Sequence, residues 1–325
     1  MKLAILDDYQ RLARRVADWD RLEKRGVEIT VFHDAFASAD EAAAKLAPFD
    51  ILCLMRERTP FPRTLIERLP MLKFIALTGL RAPSLDTAAC SERHIPVSNT
   101  GVGNTNAPTA ELAWLLVIAA ARDFAKAERG MRAGRWHDGI AGGMILEGKR
   151  LGLLGLGKLG TRVAGYAKAF GMDVVAWSQN LTPERAAAAG ARQVAKDELL
   201  ATSDVVSIHL VLSDRTRGLL GAPEFATIKP GAILVNTSRG PIVDEAALLA
   251  ALQSGRLGHA ALDVYATEPL PADHPLRKLD NVTLSPHLGY VSEDVFRVFY
   301  GDALEDIEAW LDGKPISVLN PEALA

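Results

Sequence analysis

The sequence predicts an α/β protein built from two doubly wound parallel-sheet domains, and three observations carry this prediction. Short apolar runs alternate with helix-like polar segments through the first hundred residues. The same alternation begins again near Lys149. A glycine-rich turn, from Gly155 to Gly160, follows the first apolar run of this second half. Strands that alternate with helical segments form parallel sheets, because each crossover between parallel strands needs a connection about as long as a helix.

Composition and charge limit the classes of protein to which the chain can belong. Its 325 residues are 49% hydrophobic and 24% charged, which is typical of a folded globular protein with about two domains. The net charge of -3 and the isoelectric point of about 6.2 give no electrostatic reason to expect nucleic acid or a membrane surface as a partner. The longest apolar stretch, 112–121, is far shorter than the ~20 residues of a spanning helix. Only two cysteines occur, which favours reduced thiols and a cytoplasmic location.

The elements of the first half follow from the alternation of apolar and polar runs. The predicted strands are Leu3–Leu6, Glu28–Phe32, Ile51–Met55, Phe74–Leu77 and Pro96–Val97. Helices are expected between them, for example over 40–46 and 63–69, and one long helix is expected from about Pro108 to Arg132.

The second half repeats this organisation. The predicted strands are Arg150–Leu154, Asp173–Trp177, Val205–Leu210, Ile233–Asn236, Ala260–Val264 and Val282–Leu284. Helices are expected over 157–169 and 244–254, and a last amphipathic helix over 292–311. A helix after a complete second sheet indicates that the chain returns to its first domain. We therefore expect a discontinuous flavodoxin-like substrate domain, 1–100 plus 288–325, into which a Rossmann-type cofactor domain, 101–287, is inserted.

A dinucleotide-binding fingerprint lies at the start of the second half. Gly155-Leu156-Gly157-Lys158-Leu159-Gly160 fits G-x-G-x-x-G, and it follows an apolar strand and opens a helix, as the motif requires. The first glycine permits a tight turn, the second lets the backbone approach a pyrophosphate, and the third packs the helix against the strand. The N–H groups at the start of that helix would face the phosphates. This motif predicts NAD or NADP as cofactor.

The form of the dinucleotide stays open. The next strand normally ends in an acid that accepts hydrogen bonds from the adenosine ribose, but here Ser178 and Gln179 stand at that point. No carboxylate there would repel a 2′-phosphate, and Arg185 follows a few residues later. Alternatively, Ser178 and Gln179 simply hydrogen-bond the ribose of NAD.

Three later segments place chemically active side chains beyond successive strands. Arg239 follows the strand that ends at Asn236, Glu268 follows the strand that ends at Val264, and His287 follows the last strand. Ligands of open α/β sheets bind beyond the carboxyl ends of the strands, so these three side chains can converge on one site. A 2-keto acid needs a cation for its carboxylate, which arginine binds with two parallel hydrogen bonds, and a proton donor for its carbonyl oxygen. A carboxylate behind a histidine fixes its tautomer and favours the imidazolium.

These segments together resemble the D-isomer-specific 2-hydroxyacid dehydrogenases, the family of phosphoglycerate, glyoxylate/hydroxypyruvate and D-lactate dehydrogenases. The resemblance spans nearly the whole chain and is carried by 77–79, 110–111, 151–160, 236–240, 261–269 and 286–289. It implies that Arg239 holds the substrate carboxylate, that Glu268 partners His287, and that His287 is the general acid/base. It also implies that Asp263 lies near the nicotinamide carboxamide, that the active site lies in the cleft between the domains, and that the protein is a homodimer.

The resemblance also assigns the binding residues. Those expected to bind the dinucleotide are Gly155, Gly157, Lys158, Leu159, Gly160, Ser178, Gln179, His209, Leu210, Val211, Thr216, Thr237, Ser238, Asp263 and Gly289. Those expected to bind the substrate are Arg56, Thr78, Gly79, Leu80, Arg81 and Arg239. No metal site is expected.

The substrate is where the sequence departs from the family pattern. Arg81 stands in a loop that usually has small residues, and Glu57 stands where serine is common. An acid at that edge would disfavour a phosphorylated substrate, unless Arg56 or Arg58 offsets it; alternatively, these side chains point to solvent. The favoured function is therefore the interconversion of a short 2-keto acid, such as glyoxylate or hydroxypyruvate, and its D-2-hydroxy acid. The alternatives are oxidation of 3-phosphoglycerate, and a dinucleotide-sensing binding protein similar to the C-terminal-binding-protein corepressors.

Overall fold

A computed structural model describes residues 1–101, 103, 106–137, 139–140 and 142–325. The chain divides into two compact units. The first comprises Met1–Asn104 together with Val291–Ala325, and the second comprises Thr105–Tyr290. Each unit contains one wholly parallel sheet, so the predicted α/β class with two parallel-sheet domains is confirmed.

The first unit has a five-stranded sheet. Its strands are β1 (Lys2–Ile5), β2 (Glu28–Val31), β3 (Ile51–Leu54), β4 (Phe74–Leu77) and β5 (Val97–Asn99). They lie in the order β2-β1-β3-β4-β5, which is the flavodoxin-like order. The helices before the second unit are α1 (Ala13–Val16), α2 (Asp20–Glu23), α3 (Ala39–Leu46), α4 (Arg63–Ile66) and α5 (Thr87–Glu92). The C-terminal helix, Glu293–Leu311, belongs to this unit. The chain thus returns to its first unit after the second sheet.

Local sequence explains where the longer helices of this unit begin. The Ser38 side chain accepts a hydrogen bond from the amide of Glu41 at the start of α3. Ser292 does the same for Val295 at the start of the C-terminal helix. Such capping satisfies amide groups that have no partner within the helix. The central strands β3 and β4 are buried along their whole length, because helices cover both faces of a parallel sheet.

The second unit has a seven-stranded sheet. Its strands are β6 (Arg150–Leu154), β7 (Asp173–Trp177), β8 (Arg192–Gln193), β9 (Val205–Ile208), β10 (Ala232–Asn236), β11 (Leu257–Leu262) and β12 (Val282–Leu284). Their order in space is β12-β11-β10-β9-β6-β7-β8. Counted from β6 as the first strand, this is the Rossmann order 3-2-1-4-5-6 with a seventh strand added. The order reverses between β6 and β9, and ligands of such sheets bind at that reversal.

Two hydrophobic cores lie on the two faces of this sheet. Successive strand residues point to opposite faces, so Leu153 packs into one core and its neighbour Leu154 into the other. The helices of the unit supply the remaining apolar side chains. They are α6 (Asn106–Ala121), α7 (Phe124–Arg132), α8 (Lys158–Ala169), α9 (Pro183–Ala188), α10 (Lys196–Thr202), α11 (Ala222–Thr227) and α12 (Glu245–Gln253).

Two predictions for the second unit were wrong. The single helix expected from Pro108 to Arg132 is two helices, because the chain breaks at Asp123, whose φ of 53° is left-handed. Aspartate enters that conformation more readily than most residues, and no glycine or proline marks the break. The sequence also predicted six strands, whereas the sheet has a seventh, the two-residue edge strand β8. An edge strand so short leaves no periodic apolar pattern to recognise.

The remaining observations concern cysteines and membrane segments. Both Cys53 and Cys90 are buried and unpaired. Among the residues that the structure describes, none of the helices is both long and apolar enough to cross a membrane.

Candidate active site

The glycine-rich turn joins β6 to α8, and close backbone contacts require two of its glycines, Gly155 and Gly160. Gly155 has a φ of 100°, and a Cβ there would collide with the carbonyl of His209. A Cβ on Gly160 would overlap the carbonyl oxygen of Gly155, so α8 packs directly on the turn. Gly157 precedes the helix and has no capping side chain, which leaves amide groups at its N-terminus for an anion. The predicted residues Lys158 and Leu159 form the first turn of α8.

The turn after β7 holds the residues predicted to select the form of the dinucleotide. Ser178 is half-buried and Gln179 is exposed. The Arg185 guanidinium donates to the carbonyl of Asn180 at 3.3 Å, so it folds back onto the same turn. Asp173 lies at the opposite end of β7, where it pairs with Arg150 at 2.6 Å. Asp173 therefore does not replace the missing acid, whereas the Arg185 guanidinium does contact the turn that begins at Ser178.

Beyond β9, the segment 209–216 contains four residues predicted to bind the dinucleotide. The His209 amide donates to the carbonyl of Leu154 at 2.7 Å, and its Nε2 lies 2.9 Å from the Ser207 hydroxyl. Burial lowers the pKa of His209 to about 4, so its ring is neutral. The Thr216 hydroxyl donates to the carbonyl of Val211 at 2.7 Å and closes the loop. Leu210 lies between them and is half-buried.

Arg239 follows β10 in a turn that is held by several hydrogen bonds. The Asn236 side chain accepts from the amide of Ser238 at 3.0 Å and donates to the carbonyl of Arg239 at 3.1 Å. The Ser238 hydroxyl donates to the carbonyl of Ile208 at 2.8 Å, which ties this turn to the end of β9. Thr237, also predicted to bind the dinucleotide, is buried beside them. This network fixes the backbone from which the Arg239 side chain extends.

Glu268 and His287 form a short hydrogen-bonded pair. Oε2 of Glu268 lies 2.6 Å from Nδ1 of His287, and Oε1 accepts from the amide of Tyr265 at 2.9 Å. Burial would raise the pKa of Glu268, but the hydrogen bond and charge of His287 and the charge of Arg239 outweigh it, so the pKa lies below its usual range. Both side chains remain about one-third exposed. Because the carboxylate engages Nδ1, the other ring nitrogen, Nε2, is the one available to exchange a proton with a ligand.

Asp263 holds the turn that carries His287. Its Oδ1 accepts from the Ser285 hydroxyl at 2.5 Å and from the amide of Leu288 at 2.7 Å. Its Oδ2 accepts from the amide of Gly289 at 2.9 Å. Burial raises the pKa of Asp263 above its usual value, and these hydrogen bonds oppose that effect. Asp263 therefore binds the Ser285 side chain before His287 and two backbone amides after it, and so braces the turn in which His287 has a left-handed φ of 55°.

The substrate residues predicted in the first unit form one cluster within that unit. The Thr78 hydroxyl accepts from the amide of Arg56 at 3.0 Å. The Gly79 amide donates to the Thr100 hydroxyl at 2.8 Å, and a Cβ on Gly79 would lie 2.9 Å from the Arg56 guanidinium. Leu80 and Arg81 follow as exposed residues of the same loop. In this cluster the Arg56 guanidinium therefore lies against the loop at Gly79, a glycine in a left-handed conformation.

Several residues of the site were missed by the sequence analysis. Tyr265 and Ser285 connect the turns of Glu268 and His287, and the Thr109 hydroxyl donates to the carbonyl of Gly289 at 2.7 Å. Their sequence signal is weak, because each acts through a hydrogen bond to a residue 20 or more positions away, and none is a residue type that chemistry alone would select.

Comparison with known proteins identifies the family of this chain. The model of the D-isomer specific 2-hydroxyacid dehydrogenase, NAD binding domain, matches residues 114–289. A D-3-phosphoglycerate dehydrogenase of Archaeoglobus fulgidus is 37% identical over 91% of this chain, which spans only 56% of that protein. A glyoxylate reductase of Aeropyrum pernix is 38% identical over 80% of both chains.

Solved structures give the same result over the full length. The crystal structure of a phosphoglycerate oxidoreductase from Vibrio cholerae O395 is 36% identical, with a TM-score of 0.90. The similarity covers 96% of this chain and 99% of that one. On the family model and these relatives together, the chain belongs to the D-isomer specific 2-hydroxyacid dehydrogenase family.

Proposed function

We propose that the protein reduces a small 2-keto acid to its D-2-hydroxy acid with NADH or NADPH, or catalyses the reverse reaction. The observation that carries this proposal is the 2.6 Å hydrogen bond between Glu268 and His287. The strands that precede Arg239, Glu268 and His287 are neighbours in the sheet, so the three residues leave it at the same edge. They match the chemistry of a carboxylate clamp, a histidine partner and a proton donor.

The second unit has the features that a dinucleotide requires. Gly155 and Gly160 leave no room for a side chain, and the start of α8 offers amide groups to phosphate. Nδ1 of His209 and the hydroxyl of Thr237 are buried without a hydrogen-bond partner among the described residues, and both were predicted to bind the dinucleotide. When bound, the nicotinamide supplies or accepts the hydride at the 2-carbon of the substrate.

The residues of the chain supply the remaining chemistry. Arg239 would hold the substrate carboxylate with its planar guanidinium and so orient the 2-carbon. His287 would donate a proton from Nε2 to the carbonyl oxygen as that oxygen becomes a hydroxyl. Glu268 stabilises the imidazolium and fixes the ring orientation, since its carboxylate is ionised and engages Nδ1. In the reverse direction, His287 would accept the proton as a general base.

The favoured substrates are unphosphorylated short acids such as glyoxylate and hydroxypyruvate. Glu57 follows Arg56, which is predicted to bind the substrate, and a carboxylate beside the substrate would repel a phosphate. The relatives include a glyoxylate reductase, which is 38% identical over 80% of both chains. Phosphoglycerate oxidation remains the second candidate, favoured by Arg56 and Arg58 on either side of Glu57.

Acid catalysis by His287 can be tested by substitution. We expect His287→Ala to lower kcat/KM for keto-acid reduction by roughly 10²–10⁴-fold, the usual contribution of a general acid, and to leave dinucleotide binding intact. In the wild type, kcat/KM for reduction should fall as pH rises, because reduction consumes a proton that a general acid must supply. Because the pKa of Glu268 is held below its usual range, protonation of Glu268 should lower kcat/KM only at pH values below the usual pKa of a glutamate. Wild-type rates in the alanine variant would remove His287 from the mechanism.

The clamp can be tested with Arg239→Lys, which keeps the charge and removes the planar geometry. We expect a higher KM for the keto acid together with a lower kcat, because both binding and orientation are lost. Steady-state kinetics at a saturating dinucleotide concentration would measure both. If neither constant changes, Arg81 becomes the better candidate for the carboxylate.

The form of the dinucleotide follows from the turn after β7. A carboxylate at position 178 would accept from the ribose hydroxyls and repel a 2′-phosphate, and Ser178 does neither as strongly. Arg185 lies at the same turn and can offset the charge of a 2′-phosphate. We therefore expect both NADH and NADPH to be used, with kcat/KM values within about two orders of magnitude (~3 kcal/mol).

Ser178→Asp is the matching variant, and it should shift the ratio of kcat/KM values toward NADH. Arg185→Ala should shift the ratio in the same direction, since it removes the cation. A wild type that rejects NADPH, or an aspartate variant whose ratio does not move, would contradict this assignment.

We also propose that the protein is a cytoplasmic homodimer that associates through its second unit. Five of its large exposed apolar side chains fall between residues 115 and 145, and such concentrations mark association surfaces. They are Leu115, Phe124, Met131, Trp136 and Ile145. The cytoplasmic location is supported by the two unpaired thiols, and cell fractionation would test it.

Light scattering would measure the dimer directly. We expect a mass of twice the 35.0 kDa of the chain, and a shift toward the monomer in the Leu115→Glu/Phe124→Glu variant. Met71→Glu, at an exposed apolar residue of the first unit, is the matched control and should leave the mass unchanged. A monomeric wild type at micromolar concentration would refute the proposal.

A further inference from the structure

Tyr265 contacts all three turns that carry the proposed catalytic residues. Its amide donates to Oε1 of Glu268 at 2.9 Å. Its hydroxyl lies 2.9 Å from the carbonyl oxygen of Ser285, two residues before His287, and 3.1 Å from that of Leu262 at the end of β11. A Cβ on Gly240, the residue after Arg239, would overlap the Tyr265 carbonyl.

The hydroxyl group is the part of Tyr265 that reaches the histidine turn. The side chain is only 7% exposed, so water is a poor substitute for its hydrogen bonds. Burial, followed by the nearby charge of Asp263, raises the pKa of this phenol well above its usual value, and it therefore remains a donor at all physiological pH values. Its hydrogen faces two carbonyl oxygens, one at the end of β11 and one just beyond β12.

This arrangement couples the two partners of the catalytic pair through one residue. The amide of Tyr265 fixes one oxygen of the Glu268 carboxylate, which leaves the other oxygen aimed at Nδ1 of His287. The phenol hydroxyl bonds both to the end of β11, which leads to the Glu268 turn, and to the residue after β12, which leads to the His287 turn. It therefore fixes the distance between the starts of these two turns. Asp263 also braces the histidine turn, but its hydrogen bonds go to Ser285, Leu288 and Gly289 and not to Glu268, so it does not set the spacing of the pair.

We propose that Tyr265 is a positioning residue: its hydroxyl and amide together hold the Glu268 carboxylate and the His287 imidazole at hydrogen-bonding distance. Tyr265 does not exchange a proton with substrate. It acts only through His287, so its expected effect on the kinetics rests on the proposed function. The hydrogen bond between Glu268 and His287 is itself measurable without turnover, so the two ideas can fail separately.

The first test is proton NMR of the purified protein at a pH where His287 is an imidazolium. The proton between Nδ1 and the Glu268 carboxylate should give a strongly downfield signal, which is identified by its loss in His287→Ala. Tyr265→Phe keeps the ring and removes only the hydroxyl. We expect it to move this signal upfield, because the pair separates. Tyr166→Phe, at a half-buried tyrosine of α8, is the matched control and should leave the signal in place.

The second test is a double-mutant comparison of keto-acid reduction. We expect Tyr265→Phe to lower kcat/KM about tenfold, mainly through kcat, with unchanged dinucleotide affinity. In the His287→Ala background, the same substitution should cost almost nothing, because the group through which it acts is already gone. An unmoved NMR signal would overturn the proposal, and so would equal losses in both backgrounds. If the wild type reduces no keto acid but the signal still moves, the proposed function fails and the positioning role stands.

Discussion

The hydrogen bond between Glu268 and His287 is the interaction on which the chemistry of this protein depends. A histidine without a fixed partner rotates and can present either ring nitrogen, so it is a poor proton donor to one chosen atom. An ionised carboxylate 2.6 Å from Nδ1 removes this limit, because it holds the ring and fixes which nitrogen faces outward. The pKa of Glu268 is held low by that same contact and by the charge of Arg239, although burial opposes it.

The parallel sheet makes this contact possible. Strands β10, β11 and β12 are neighbours, and all three end at the same edge, so each turn begins about 5 Å from the next although the turns are far apart in sequence. The turns are then stiffened by internal hydrogen bonds. Asp263 braces the histidine turn, Asn236 braces the arginine turn, and Tyr265 connects them. Rigid support of this kind keeps catalytic geometry within the narrow limits that proton transfer needs.

The sequence predicted the fold class and most elements because each long element carries its own periodic signal. The α8 helix and the Glu245–Gln253 helix were placed to within one residue at each end. The pairing of Glu268 with His287 was also predictable, since residue types and strand ends constrain it. What local patterns could not predict was decided by tertiary contacts. The helix breaks at Asp123 because this residue, which is not a glycine, adopts a left-handed conformation. The role of Tyr265 depends on the carbonyl of Ser285, which lies 20 residues away in sequence.

The most direct test of the account is whether the purified protein transfers a hydride to short 2-keto acids. The measurement is oxidation of NADH and of NADPH with glyoxylate, hydroxypyruvate, pyruvate and 3-phosphohydroxypyruvate, followed by chiral analysis of the product. The account predicts turnover of glyoxylate or hydroxypyruvate, weaker turnover of the phosphorylated acid, and D-glycerate from hydroxypyruvate. A protein that binds the dinucleotide tightly and reduces none of these acids would contradict it, and would favour a dinucleotide-sensing role.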